Sequence, residues 1–339
     1  MKVLVLGGSG YVGARLCTLL RETGWATPVC ASRRRAPAGL ASVRLDTRDP
    51  KALTEPLRGV DAVVNCVAGS ATAIAQGARA LADAARASGC RHVVHLSSMS
   101  VYGSIEGRVD EDAPLDGSLG WYAQAKCEAE GHMRDFAAQG GRATVLRPGC
   151  VWGAGSQLWV GRIARLLEAR RLGDLGAGGD GWSNLVHVDD VCNAVLAVLQ
   201  RSADGSGLRA YNLAAPDSPR WNAYFVDLAV AIGATPVRRL SARRLRWDAL
   251  LAGPPLKVAE LLANRFLGHA GFVPVPIAPN LPALWERHLQ LDATRASREL
   301  HLSWTPYANT LQQVAAWWRL QRGGPAAAAD AALQGGDSA

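Results

Sequence analysis

Lysine is scarce in this chain. Of 37 basic residues only Lys2, Lys51, Lys126 and Lys257 are ammonium-bearing, and arginine supplies the rest. The net charge of +8 therefore comes without the basic stripe interleaved with aromatics that tracks a nucleic-acid backbone, and no nucleic-acid partner is expected. No apolar run approaches the ~18–20 residues that span a bilayer, so no membrane span is expected either. The first apolar run starts at residue 2 and reads as a strand rather than a leader peptide. The seven cysteines (17, 30, 66, 90, 127, 150 and 192) are scattered, odd in number and form no Cys-x-x-Cys pair. That argues against a disulfide framework and a metal site, and fits small buried hydrophobes in a reducing, cytoplasmic setting.

Glycine is plentiful, with 36 residues, and three of them are placed with purpose. The apolar run Val3-Leu4-Val5-Leu6 is followed by Gly7, Gly10 and Gly13, and then by Leu16, Leu19 and Leu20 at helical spacing. A strand, a glycine turn and a helix in this order make a dinucleotide-binding loop. Bare backbone lets the chain turn sharply, approach a pyrophosphate and pack helix on sheet. The helix start, with Tyr11 and Val12 beside Gly13, offers free N–H groups and the positive end of the dipole to phosphate. After the second strand the chain reads Ser32-Arg33-Arg34-Arg35. An NAD site places a carboxylate there for the ribose 2′-hydroxyl, whereas arginine suits a 2′-phosphate. Arg33 and Arg34 therefore point to NADP(H) as the preferred cofactor, with NAD(H) the alternative.

Downstream, Tyr122 and Lys126 lie four residues apart in a helical stretch and so share one face. A free tyrosine titrates near pH ~10, and an ammonium close by is expected to lower that by ~1–3 units, making a usable acid/base. The apolar run His92–Leu96 ends in Ser97, Ser98 and Ser100. A serine hydroxyl at a strand's carboxyl end can hold a carbonyl oxygen on which charge develops.

Strand-like and helix-like segments alternate through the first two-thirds of the chain. Strands are predicted at 27–31, 42–45, 62–66, 92–96 and 143–146, and helices at 10–23, 50–57, 72–88 and 121–138. The fold class is α/β, a Rossmann-type doubly wound parallel sheet with a smaller, mostly helical C-terminal substrate-binding region. The dinucleotide-binding domain is placed at 1–150, with segments around 184–215 returning to it. Residues 151–322 form the substrate-binding region, and 323–339 an Ala/Gly-rich disordered tail. The arginine cluster 238–246 reads as a solvated helix face or as an anion-binding patch. Trp152, Trp159 and Trp182 read as lining an apolar pocket or as packing.

Taken together, Gly7-x-x-Gly10-x-x-Gly13, Ser97-Ser98-Met-Ser-Val-Tyr102-Gly103 and Tyr122-x-x-x-Lys126 resemble the extended short-chain dehydrogenase/reductases, the group of NAD-dependent epimerases and dehydratases. The resemblance continues through Leu146-Arg147-Pro148, Val186-His187-Val188-Asp189-Asp190 and Trp304-Thr305-Pro306. It implies Ser98 as the catalytic hydroxyl, Tyr122 as the proton donor or acceptor, and Lys126 as the residue that tunes it and holds ribose. It also implies Asn65 lining the cofactor site, Asp46 contacting adenine, and a homodimer. Nucleotide-sugar members carry an asparagine, a tyrosine and an Arg-Asp pair where this chain has Cys150, Trp152 and Ser183-Asn184. Those departures turn the expectation from a nucleotide-sugar epimerase or dehydratase with tightly bound NAD toward a carbonyl reductase acting on a small-molecule substrate. A non-catalytic dinucleotide sensor would need none of Ser98, Tyr122 and Lys126. His187 is expected to cap or pack locally.

Overall fold

The computed structural model describes residues 1–33, 39–201, 205–266 and 274–323. Its first strands and helices are β1 (Lys2–Leu6), α1 (Tyr11–Glu22), β2 (Thr27–Ser32), β3 (Ala41–Arg44), α2 (Pro50–Leu57), β4 (Ala62–Asn65) and α3 (Ala71–Ser88). Then come β5 (His92–Leu96), β6 (Gly107–Val109), α4 (Trp121–Ala138), β7 (Arg142–Pro148), β8 (Cys150–Trp152), α5 (Arg162–Glu168), β9 (Leu185–His187), α6 (Val188–Gln200) and β10 (Gly207–Leu213). The chain closes with α7 (Trp221–Ile232), α8 (Ala242–Trp247), α9 (Gly253–Phe266), α10 (Leu281–Glu286), β11 (Leu289–Leu291), α11 (Thr294–Glu299) and α12 (Tyr307–Gly323).

Seven parallel strands form one sheet in the order β10-β7-β5-β4-β1-β2-β3. The strand runs are apolar throughout because both faces are covered. Leu4, Leu6, Val63, Val93 and Val145 turn to the side packed by α2, α3 and α4. Their neighbours Val3, Val5, Val64, Val94 and Leu146 turn to the side packed by α1 and α6. The strand order reverses direction at β1, between β4 and β2, and open sheets of this kind bind ligands beyond the carboxyl ends of the strands at such a switch point. The Rossmann-type architecture expected from the alternating pattern is the one observed.

Contact clustering divides the chain into two compact units. The first holds Met1–Val151, Val186–Pro216 and Leu289–Trp304. The return of Leu289–Trp304 differs from the sequence expectation, which left this segment with the substrate region. The physical reason is a short parallel pairing, Leu289 with Gly107 through Leu291 with Val109, reinforced by Arg108 Nε on Asp292 at 2.9 Å. Three-residue strands are too short to show a periodicity.

The second unit holds Trp152–Leu185, Asp217–His288 and the segment from Thr305. It is helical and packed by rings. Trp152 stacks on Tyr307 at 5.3 Å, Trp159 lies 5.6 Å from Trp221, and Phe225 meets the edge of Trp285 at 5.3 Å. Gly181 has no room for a side chain, since a Cβ there would lie 2.5 Å from the Arg287 carbonyl oxygen. Its amide donates to the Trp285 carbonyl at 2.9 Å. The expected tail beyond Gly323 lies outside the described residues.

Candidate active site

The glycine loop is built from the inside. Gly7 has φ +74°, a conformation that only glycine adopts without strain. A Cβ on Gly13 would sit 2.4 Å from the Gly7 carbonyl oxygen, and one on Gly8 would sit 2.5 Å from the Cys30 sulfur. The loop therefore closes on itself tightly enough to present α1 end-on. Gly10 caps α1 with no side chain, and no acid stands in the first turn. The amides of Tyr11, Val12 and Gly13 have no intrahelical acceptor. The Tyr11 hydroxyl is buried with no partner among the described residues, and burial pushes its pKa up. These unmatched donors fit a dinucleotide pyrophosphate.

Asn65, at the carboxyl end of β4, is buried. Its Oδ1 accepts from the Val67 amide at 3.1 Å, so its Nδ2 donates to His95 Nδ1 at 3.1 Å. His95 is consequently a neutral ring with its proton on Nε2, and burial together with the nearby Lys126 holds its pKa down at about 3. Arg33 is exposed just past β2; Arg34 lies outside the described residues. The Asp46 carboxylate is gripped by Arg48, whose Nε lies 3.0 Å from Oδ1, and this pairing pulls its pKa down to about 2 with Arg33 contributing.

Ser98, Tyr122 and Lys126 come together beyond β5. The Ser97 amide donates to the Leu146 carbonyl at 2.7 Å, which ends the strand beside β7. Ser98 then caps a short 3₁₀ turn, its hydroxyl accepting from the Ser100 amide at 3.2 Å. Tyr122 stands in the first turn of α4 and hydrogen-bonds Ser98. Lys126, one turn on, is 2% exposed. Its Nζ donates to the Leu96 carbonyl at 2.6 Å and lies 5.9 Å from the Tyr122 ring centre.

The electrostatics differ from the sequence expectation. Burial raises the Tyr122 pKa above its ordinary value, and the Ser98 hydrogen bond only partly offsets that. Lys126 does not pull it down, because its ammonium is turned to the Leu96 carbonyl. Burial instead lowers Lys126 itself to about 8.

Sequence reasoning missed the lock behind this pair. Glu130, one further turn along α4, is fully buried and takes Arg147 of β7 in a bidentate pair at 3.0 and 2.7 Å. Arg147 Nη1 also donates to the Tyr102 hydroxyl at 2.9 Å and the Glu111 carbonyl at 2.9 Å, and Tyr102 donates to Asn212 at 2.6 Å. The one signal available was the run Tyr122, Lys126, Glu130 at four-residue spacing. His187 caps α6 as expected, its Nδ1 accepting from the Asp189 amide at 3.2 Å. Asp189 in turn holds Arg15 of α1 at 2.6 Å.

On the substrate side, Cys150 is buried and its thiol is pushed well up. Trp152 is packed against Tyr224 as well as Tyr307, and Trp182 lies under the Arg220 guanidinium at 4.7 Å. The Ser183 hydroxyl meets Ser218 at 2.9 Å. These tryptophans pack their own unit. Among the described residues no cluster of His, Cys, Asp and Glu has the arrangement of a metal site, and no helix is long and apolar enough to cross a membrane.

The model of the NAD dependent epimerase/dehydratase family matches residues 3–214. A 2-alkyl-3-oxoalkanoate reductase of Stenotrophomonas maltophilia (strain K279a) is 36% identical over 217 residues, which cover 58% of this chain and 64% of that reductase. The chain thus matches less than two thirds of that relative's length. A 3-diazoavenalumate denitrifying reductase of a Streptomyces species is 30% identical over 274 residues, covering 73% of this chain and 88% of the relative. Among solved structures, a double mutant of the dTDP-glucose 4,6-dehydratase DesIV from Streptomyces venezuelae, with NAD and DAU bound, superposes with a TM-score of 0.72. It is 23% identical, with 95% of this chain and 98% of that one covered, and shows a shared fold.

Proposed function

The chain belongs to the NAD dependent epimerase/dehydratase family, and from that premise we propose that it is an NADP(H)-dependent reductase that interconverts a carbonyl and an alcohol on a small organic metabolite. The observation that carries this reading is the cluster of Ser98, Tyr122 and Lys126 beyond β5, with Lys126 fixed on the Leu96 carbonyl. The nicotinamide cofactor supplies or accepts the hydride when bound.

The chain's own residues do the rest. The amides of Tyr11, Val12 and Gly13 would hold the pyrophosphate, Asn65 would line the site, and Arg33 with Arg34 would take the 2′-phosphate. Asp46, already neutralised by Arg48, stands at the adenine end. Ser98 donates to the carbonyl oxygen of the substrate, where charge develops. Tyr122, whose pKa burial raises above its ordinary value, exchanges the proton with the substrate oxygen. Lys126, its ammonium fixed on the Leu96 carbonyl, would hold the ribose.

Two further features support a ketone or aldehyde over a nucleotide sugar. Cys150 and Ser183-Asn184 supply no cation where nucleotide-sugar members carry the groups that grip phosphates, and an unpaired phosphate in a closed site is costly. The relative at 36% identity is named for reducing a 2-alkyl-3-oxoalkanoate, a β-keto carboxylate. The test is to denature the purified protein, identify any released nucleotide by chromatography, and titrate the protein with NADPH and NADH. An exchangeable site preferring NADPH, with turnover on carbonyl compounds, is the expected result. Stoichiometric, non-exchanging NAD⁺ would overturn it in favour of an epimerase or dehydratase that regenerates its cofactor each cycle.

A further inference from the structure

The second unit turns a row of large apolar side chains to solvent. Trp247, Leu250, Leu251, Val258 and Leu262 are each between 50% and 62% exposed. They lie on a continuous helical run made of α8, a π-turn at Asp248–Ala252 and α9. The π-turn has a local cause: Pro254 and Pro255 cannot donate to the carbonyls four residues back, and the helix loosens by one residue to accommodate them. The opposite side of the run is the packed one. Leu245 and Ala249 are buried, and Gly253 faces the Ile277 carbonyl, which a Cβ would approach to 2.7 Å. The exposed row is therefore not the core-facing side of the helix. From Trp247 to Leu262 it runs about 22 Å at the helical rise per residue, more than a scatter of single surface hydrophobes.

The charge around this row is one-sided. Between Arg238 and Arg265 the chain carries Arg238, Arg239, Arg243, Arg244, Arg246, Lys257 and Arg265 against Asp248 and Glu260 alone. Asp248 is already committed to Arg171, with Nε and Oδ2 2.9 Å apart. Arg243 and Arg244 are exposed one turn before Trp247.

We propose that the helical run from Ala242 to Phe266 docks on a lipid bilayer bearing anionic headgroups, with the apolar row at the acyl boundary and Arg243 and Arg244 on the headgroup phosphates. The combination of an aromatic and aliphatic row with flanking cations is what such a surface selects. A second copy of the chain fits less well, because a two-fold contact through this face would bring two equally basic surfaces together. This inference goes beyond the reductase reading and stands independently of it, since vesicle binding needs no turnover.

The test is co-sedimentation of the full chain with vesicles of phosphatidylcholine alone and of phosphatidylcholine mixed with phosphatidylglycerol, at low and high salt. Binding to the mixed vesicles should be at least about tenfold tighter than to the neutral ones and should weaken with salt. The triple variant Trp247→Ser, Leu251→Ser, Val258→Ser should lose most binding to either vesicle while keeping its melting temperature and NADPH affinity. Should that variant unfold, the pair Arg243→Gln, Arg244→Gln carries the test, and it should remove the preference for anionic vesicles. Equal binding to both vesicles, or none, overturns the proposal. So does a dimer in light scattering that the serine variant makes monomeric without any vesicle binding.

Discussion

In the first unit the buried surface is a set of aliphatic side chains alternating along strands, Val3 and Val5 to one side, Leu4 and Leu6 to the other. In the second it is a succession of ring contacts running from Trp159 through Trp221 and Phe225 to Trp285. The first arrangement ties side-chain position to strand register, which is why a serine hydroxyl and a phenol meet at one edge with an ammonium held on the Leu96 carbonyl beside them. The second holds short helices together by area and ring geometry. The polar atoms left without partners differ accordingly. Among the described residues of the first unit, Tyr11, His95, Ser97 and Ser100 have orphaned polar atoms near the carboxyl edge of the sheet, and His92 has one at the start of β5. In the second unit the indole N–H groups of Trp221 and Trp285 are orphaned, inside the packing itself.

That contrast can be broken first at Tyr122. Tyr122→Phe should lower turnover by roughly 10²–10⁴-fold, the usual worth of a positioned acid, while NADPH titration and melting temperature stay near those of the parent. Comparable activity in the variant would mean that another group moves the proton.

In the second unit the corresponding cut acts on stability alone. Trp285→Ala should cost about 3–5 kcal/mol in denaturant unfolding. Trp285→Phe should cost markedly less, because it keeps most of the contact with Phe225 and removes the orphaned N–H. Equal losses for the two variants would show that the indole has a partner worth keeping.

The pH profile sharpens the first unit's side of the comparison. Lys126 is lowered to about 8 by burial, so kcat/KM for reduction should fall as pH rises through about 8 and the ammonium is lost. The linked effect on folding has the opposite sign. Between about 8 and the ordinary ~10.4 the unfolded chain still binds a proton that the folded one has released, so this group's contribution to stability improves with rising pH. A rate profile flat through pH 8 would separate Lys126 from the chemistry. The smallest effect expected is in cofactor choice: Arg33→Ala with Arg34→Ala should weaken NADPH about tenfold and leave NADH nearly unchanged, as read by fluorescence titration. Equal loss for both nucleotides would remove the arginines from the 2′-phosphate.

Much of the first unit was legible because its signals are local. The boundaries of β5, α2 and α4 follow from an apolar run, an Asp-Pro start and a helical stretch opened by Trp121, and the structure places them where the pattern does. Tyr122 and Lys126 both stand on α4, one turn apart. The Glu130–Arg147 lock was not legible, since an ion pair across 17 residues leaves no trace in a pattern read with periods of 2 and 3.6. Nor was the π-turn at Asp248–Ala252, although Pro254 and Pro255 marked where the helix had to yield.

The sequence by itself determined the sheet, its glycine loop and the shared helix face of Tyr122 and Lys126, because each depends on side-chain type at short spacing. Only the tertiary structure decided that Lys126 turns to the Leu96 carbonyl instead of lowering the Tyr122 pKa, that Leu289–Trp304 joins the first unit, and that Trp152 is packing. Those outcomes depend on which groups lose water together, and desolvation is a property of the folded neighbourhood rather than of any stretch of chain.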